Sequence, residues 1–97
     1  MKLRYTRKAL EHLSEIRGYA EREQPGSARE VGQSIRAAVA RLAQYPELGR
    51  QGRVVGTREL VIPRLPFVVA YRVKASHVDI LAILHGARKW PSGFEGE

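Results

Sequence analysis

The spacing of apolar positions changes along the chain, and each spacing predicts a different element. Residues 2–5 alternate polar and apolar side chains, which indicates a short strand. From about residue 7 to 23, and again from Ser27 to about Gln44, apolar side chains recur every three or four residues, as in amphipathic helices. Only a short Pro-Gly break separates these two segments, so they are expected to form an antiparallel helical hairpin.

Residues of the capping type mark the ends of both helices. Thr6 is a suitable N-cap for the first helix, and Ser27 followed by Glu30 has the spacing of a capping box. Pro46 disfavours helical backbone at the residue before it, so the second helix is expected to stop near Gln44.

After a loop at residues 46–52, the period of the apolar positions falls to two. One strand is expected over residues 53–62, interrupted at Gly56, and a second over residues 67–73. Residues 78–84 are apolar almost throughout, which predicts a central strand that is buried on both faces. Short links join these three strands, so they are expected to form an antiparallel meander.

The resulting order of elements is β-α-α-β-β-β, which belongs to the α+β class. The helical hairpin is expected to pack on one face of a mainly antiparallel sheet. The first strand pairs with the meander in either the parallel or the antiparallel sense. The length of 97 residues predicts a single domain over 1–97, with a frayed tail from about residue 92 to 97.

Alternation along the strand at residues 67–73 divides its side chains between the two faces of the sheet. The bulkier set is expected to face the helices, which leaves Arg72 on the opposite, open face. Arg58 or Arg53, and then Arg88, are expected to project onto that face and to form a shallow basic concavity. The alternative is that these arginines are scattered over the surface.

The net charge of +7 indicates an anionic partner such as nucleic acid, an acidic protein segment or phosphate. Most of it lies in residues 49–93, which hold eight Lys/Arg and two Asp/Glu. The absence of cysteine excludes a disulfide scaffold, a thiolate zinc site and a thiol nucleophile. No apolar run reaches the roughly 18 residues of a membrane span. We therefore expect a soluble, cytoplasmic protein that needs no metal or cofactor.

The histidines and the single tryptophan are the remaining candidates for chemistry, because no phosphate-binding glycine loop is present. His85 follows the apolar run, where it is either a general acid/base or a strand-end histidine with a satisfied hydrogen bond. His12 and His77 are interpreted as solvated side chains. Trp90 either stacks on a base or closes the core.

Three motifs in this order of elements resemble the RelE/ParE superfamily, the toxins of bacterial type II toxin–antitoxin modules. They are Thr-Arg-Glu-Leu at 57–60, Tyr-Arg-Val at 71–73 and Ile-Leu-His-Gly-Ala-Arg-Lys-Trp-Pro at 83–91. The resemblance covers roughly residues 2–91. Its ending, at 84–91, looks most like the ParE branch, whose members are also described as plasmid-stabilisation proteins.

The resemblance implies one of two activities. RelE-like members cleave mRNA on the ribosome with basic residues on the middle strands, whereas ParE-like members are thought to inhibit DNA gyrase. In a rough superposition, the middle-strand basic residues fall on Glu59, Val61 and Val68 here, and only Arg88 matches. A glutamate would repel a phosphate, so the resemblance favours the ParE type.

We therefore expect a non-enzymatic toxin that binds gyrase, arrests growth and is neutralised by an antitoxin with an acidic segment. The alternative is a metal-independent, ribosome-dependent endoribonuclease, with His85 as acid/base and with Arg72 and Arg88 on the phosphate. A third interpretation is a plain nucleic-acid-binding module. The residues expected to bind the target or the antitoxin are Arg58, Arg72, His85, Arg88 and Trp90.

Overall fold

Two helices cover one face of a five-stranded sheet in a computed structural model that describes residues 1–86 of the chain. The α+β class and the helical hairpin are therefore confirmed, with one strand more than expected. The helices are α1 (Arg7–Glu23) and α2 (Ala28–Ala40), and a 3-10 turn (Arg41–Ala43) extends α2. The strands are β1 (Lys2–Tyr5), β2 (Arg50–Gln51), β3 (Arg58–Val61), β4 (Phe67–Val73) and β5 (His77–His85).

The strands lie in the order β1-β5-β4-β3-β2. β1 runs parallel to β5, which decides between the two pairings that the sequence left open, and every other pair is antiparallel. β5 lies between β1 and β4, so the apolar run forms an interior strand as predicted. The additional strand, β2, is only two residues long and lies in the segment that was expected to be a loop.

The two helix starts differ from each other. Thr6 caps α1 as predicted, since its hydroxyl oxygen accepts from the Ala9 N–H at 3.2 Å, and the same hydroxyl donates to the Ile80 carbonyl at 2.9 Å. The capping box at Ser27 is wrong. Ser27 has a ψ of 3° instead of the extended backbone of an N-cap, and its hydroxyl donates to the Gln24 carbonyl at 3.3 Å.

The main core fills the space between the helices and the sheet. Val69 and Tyr71 of β4 are fully buried there, which confirms the predicted face of that strand. Each large apolar side chain buried in this way contributes about 1.5–3 kcal/mol. No helix within residues 1–86 is long and apolar enough to cross a membrane. The other buried residues of this core are Ala9, Leu13, Ile35, Val39, Leu42, Leu60, Ile62, Val78, Ile80 and Ile83.

A second apolar cluster lies on the opposite face of the sheet, which we call the open face. Ala70 pairs with Ala82 while Tyr71 pairs with Ile80, so Leu81 is an extra residue in a β-bulge. The bulge turns Leu81 to the open face, where it clusters with Ala70, Ala82 and Leu84, all buried. The centre of the open face is therefore covered, not a shallow concavity exposed to water.

Candidate functional site

A row of charged side chains crosses three adjacent strands on the open face. Arg4 of β1 lies level with Asp79 of β5, and Asp79 lies level with Arg72 of β4. The Asp79 Oδ1 atom is 3.4 Å from the Arg4 Nε atom and 3.1 Å from the His77 Nε2 atom. His77 is thus half-buried beside a carboxylate, and its interpretation as a solvated turn residue is wrong. We call Arg4, Arg72, His77 and Asp79 the charged row.

Glu59 forms a second charged group on the same face, one strand further along the sheet. Its side chain is only 2% exposed, and its carboxylate accepts from the Arg53 N–H at 2.9 Å and from the Arg53 Nε atom at 3.2 Å. The Arg50 Nη2 atom lies 3.4 Å from the other carboxylate oxygen. A buried carboxylate is tolerated only with such partners. Glu59 therefore holds the segment that carries both arginines against the sheet.

The segment from Gly52 to Thr57 is a turn and not the beginning of a strand. Gly56 has a φ of 81°, a left-handed conformation that ends any extended backbone here. The Gly52 N–H donates to the Thr57 carbonyl at 2.8 Å, and the Thr57 hydroxyl donates to the Val54 carbonyl at 2.6 Å. These bonds close the turn over the edge of the open face.

Arg58 does not project onto the open face, in contrast to the expectation from the sequence. It pairs with Tyr71 on the adjacent strand, so its side chain lies on the helix side of the sheet. The Arg58 Nη1 atom donates to the Gly49 carbonyl at 2.7 Å. The Tyr71 hydroxyl accepts from the Gly49 N–H at 2.8 Å and donates to the Pro46 carbonyl at 2.7 Å. Burial raises the pKa of Tyr71, so this hydroxyl stays protonated and keeps donating.

Arg72 lies on the open face as predicted, half-buried at the end of the charged row. His85, the other described candidate from the endoribonuclease hypothesis, is far from it. His85 pairs with Phe67, whose side chain packs against the main core, so the His85 ring is on the helix side. The two residues are also five strand positions apart along β4, or roughly 17 Å. One phosphate cannot contact both of them.

His85 borders a groove of about 930 Å³ between α1 and the adjoining ends of β4 and β5. Its ring meets Phe67 edge-to-face, with the ring centroids 6.1 Å apart. Tyr19 and Arg22 of α1 form the opposite wall. The groove thus combines aromatic and charged side chains at one end of the sheet, on the face away from the charged row.

His12 also lines this groove, and its position was not anticipated. β1 pairs with β5 only as far as Ile80, so the N–H of Ile83 has no strand beside it. The His12 Nδ1 atom accepts from that N–H at 3.1 Å. Burial lowers the pKa of His12, and the neutral ring is the form that can accept. β5 extends five residues beyond its pairing with β1. This difference in strand length is the one signal in the sequence that a backbone N–H of β5 needs another partner.

Arg88 and Trp90 fall outside residues 1–86, and their roles stay predictions. Within the described part of the chain, no three His, Cys, Asp or Glu side chains come together in a way that would hold a metal ion. The candidate residues that the structure places are therefore separated into two groups. Arg72 belongs to the open face, whereas Arg58 and His85 belong to the helix side.

A family model and two known proteins match this chain over most of its length. Residues 3–90 match the family model described as the ParE toxin of type II toxin–antitoxin systems, parDE. The chain is 41% identical to the putative toxin Y4kP of Sinorhizobium fredii over 93% of each sequence. It is 34% identical to the toxin RelE2 of Caulobacter vibrioides, over 87% of this chain and 93% of the relative.

A solved structure shows the same fold. It is that of the chromosomal ParDE TA system from P. aeruginosa, and it superposes with a TM-score of 0.82 at 34% identity. The match covers 88% of this chain and 95% of that one. The chain therefore belongs to the ParE toxin family of type II toxin–antitoxin systems.

Proposed function

We propose that this ParE-family toxin arrests growth by binding DNA gyrase in the cytoplasm. The proposal rests on the side chains at three positions of the open face where RNA-cleaving relatives would place basic residues. Glu59 is buried there in ion pairs with Arg50 and Arg53, Val68 is buried, and Val61 is 51% exposed. The two valines have no group that could move a proton or bind a phosphate, and the Glu59 carboxylate is already held by Arg50 and Arg53. Binding is therefore the better-supported activity.

A supercoiling assay tests this proposal directly. Purified toxin is added to gyrase, ATP and relaxed plasmid, and the products are separated after detergent and protease treatment. We expect loss of supercoiling and accumulation of cleaved DNA, and toxin premixed with its antitoxin serves as the inactive control. Unchanged supercoiling at micromolar toxin would contradict the proposal.

Ribosome-dependent cleavage of mRNA is the second candidate, and the name of the relative RelE2 favours it. The placement of His85 and Arg72 on opposite faces of the sheet weighs against it, since an acid/base and a phosphate-binding group must act on one linkage. Primer extension on mRNA from programmed ribosomes distinguishes the two activities. New 5′ ends that depend on the toxin would reverse this order of preference.

The antitoxin is the partner that membership of the family implies. We infer further that an acidic segment of the antitoxin covers part of the toxin, because residues 49–93 hold eight Lys/Arg against two Asp/Glu. Both acids are already in contact with basic side chains, Glu59 with Arg50 and Arg53, and Asp79 with Arg4. The remaining positive charge is available to an acidic partner.

A further inference from the structure

Arg72 carries two hydrogen-bond donors that no residue in the described chain uses. Its Nε and Nη2 atoms are buried, and within residues 1–86 neither has a hydrogen-bond partner. These two nitrogens lie along one edge of the guanidinium plane, so their N–H bonds are parallel and match the two oxygens of a carboxylate. Roughly 90% or more of buried polar groups in proteins are paired. Two adjacent buried donors without acceptors are therefore unusual, and their geometry suits a carboxylate.

The acids of the open face do not supply that acceptor. Asp79 is level with Arg72 across the strands, but its Oδ1 atom, which also has no hydrogen-bond partner within residues 1–86, lies near Arg4 and His77 and does not bond Arg72. Glu59 is bound to the turn by Arg53. No acid within residues 1–86 is therefore hydrogen-bonded to these two donors.

The guanidinium of Arg72 is held in place by the neighbouring turn. A Cβ atom on Gly56 would lie 3.4 Å from the Arg72 Nη1 atom, so the turn packs closely on that side of the guanidinium. The turn is itself closed by the bond between Gly52 and Thr57. A donor pair that is already ordered loses less conformational entropy when a ligand binds.

The surroundings favour a carboxylate from a protein over a phosphate from nucleic acid. Asp79 and Glu59 place two negative charges on this face near Arg72. Nucleic acid is bound through several phosphates at once, and two fixed acids repel such a polyanion more strongly than they repel one carboxylate. A single acidic side chain therefore suits this surface better.

We propose that the Nε and Nη2 atoms of Arg72, which are covered in the toxin alone, become accessible when the antitoxin binds and then hold one of its acidic side chains in a bidentate ion pair. The identity of the partner rests on the proposed function, but the donor geometry does not. The pair would lie on the open face, next to the charged row and remote from the groove at His85.

The test is the affinity of the toxin for the antitoxin encoded beside it, measured by calorimetry. Arg72→Lys keeps the charge and removes the parallel donor pair, so we expect binding to weaken by about tenfold to a hundredfold. Arg4→Lys is the matched control, because Arg4 belongs to the same row but its side chain is 72% exposed. We expect that control to stay within about threefold of the unmodified toxin.

A double-mutant cycle then identifies the acceptor. Each Asp or Glu of the antitoxin is changed to its amide, and one position should weaken binding to the unmodified toxin but not to the Arg72→Lys variant. If Arg72→Lys binds with full affinity, or if no acidic position is coupled to it, the proposal is overturned. Thermal unfolding of each variant shows whether the fold is retained.

Two other results would also overturn it. If a water molecule joins Arg72 to Asp79, Arg72→Lys lowers the melting temperature but leaves antitoxin affinity unchanged. If the acceptor is a phosphate, the same variant loses binding to duplex DNA and keeps binding to antitoxin. None of these measurements uses gyrase, so a failed supercoiling assay does not affect them. Unmodified toxin that binds no antitoxin would contradict the partner in both proposals.

Discussion

The two faces of the sheet contain similar residue types but use them differently. On the helix side, Arg58 and Tyr71 form hydrogen bonds to the backbone of the segment before β2, and both are occupied by the fold itself. On the open face, Arg72 has the same chemistry as Arg58 but retains unpaired donors within the described residues. An arginine therefore becomes a candidate for binding when its neighbours leave its donors unpaired, and not through its position in a motif.

The largest expected effect tests whether both faces are truly buried. Ile83 faces the helices and Leu84 the open face, with exposures of 4% and 5%. We expect Ile83→Ala and Leu84→Ala each to lower the free energy of unfolding by about 2–5 kcal/mol, measured by denaturant titration. Val55→Ala is the control, because Val55 is 93% exposed. If Leu84→Ala alone lowers the free energy of unfolding by less than about 1 kcal/mol, Leu84 is exposed to water in solution.

A somewhat smaller effect tests the hydrogen bonds on the helix side. Tyr71→Phe removes one hydroxyl and leaves the Gly49 N–H and the Pro46 carbonyl without their partner. We expect the free energy of unfolding to fall by about 2–3 kcal/mol. Tyr19→Phe is the matched control, since Tyr19 is exposed on α1. Equal effects of the two substitutions would contradict the structural role of Tyr71.

The next prediction concerns the charged group on the open face. Glu59→Gln keeps the shape of the side chain but removes the charge that Arg50 and Arg53 contact. We expect a loss of about 1–2 kcal/mol, less than for a fully buried pair because both arginines are partly exposed. Glu15→Gln on the exposed side of α1 should change stability very little. A stabilised Glu59→Gln variant would show that the buried charge is a net cost.

The smallest expected effect is a pH dependence that comes from His12. Its pKa is lowered in the folded chain, chiefly by burial, so the unfolded chain takes up the proton first as the pH falls below about 6.5. The contribution of neutral His12 is therefore complete above that pH and is lost progressively below it. The difference in unfolding free energy between the unmodified toxin and His12→Gln isolates this contribution. A pH-independent difference would contradict it.

Local patterns were sufficient for much of the fold. The bounds of α1 follow from apolar periodicity and the Thr6 cap, and the interior position of β5 follows from its apolar run. The two-residue strand β2 carries no periodicity of its own, because it exists only by pairing with β3. The capping box failed since its spacing does not specify the backbone angles of Ser27.

The site was harder to predict because its contacts join residues that are distant in sequence. His12 and Ile83 are 71 residues apart, and the sequence around either residue does not predict the contact between them. The bulge at Leu81 determines which side chains of β5 reach the open face. Because the strand is apolar throughout, it has no alternation of polar and apolar residues from which the bulge could be predicted. Arg72 was placed on the correct face, whereas Arg58 was assigned to the wrong one.

The parallel pairing of β1 with β5 has a consequence for how the toxin is made. Residues 2–5 pair with residues 77–80, and the cap of α1 is bonded to Ile80. During translation the first strand must therefore wait for nearly the last part of the sheet to be synthesised. Until then, the apolar side of the helical hairpin has no complete sheet to pack on. The growing chain thus exposes apolar surface that is buried in the finished fold.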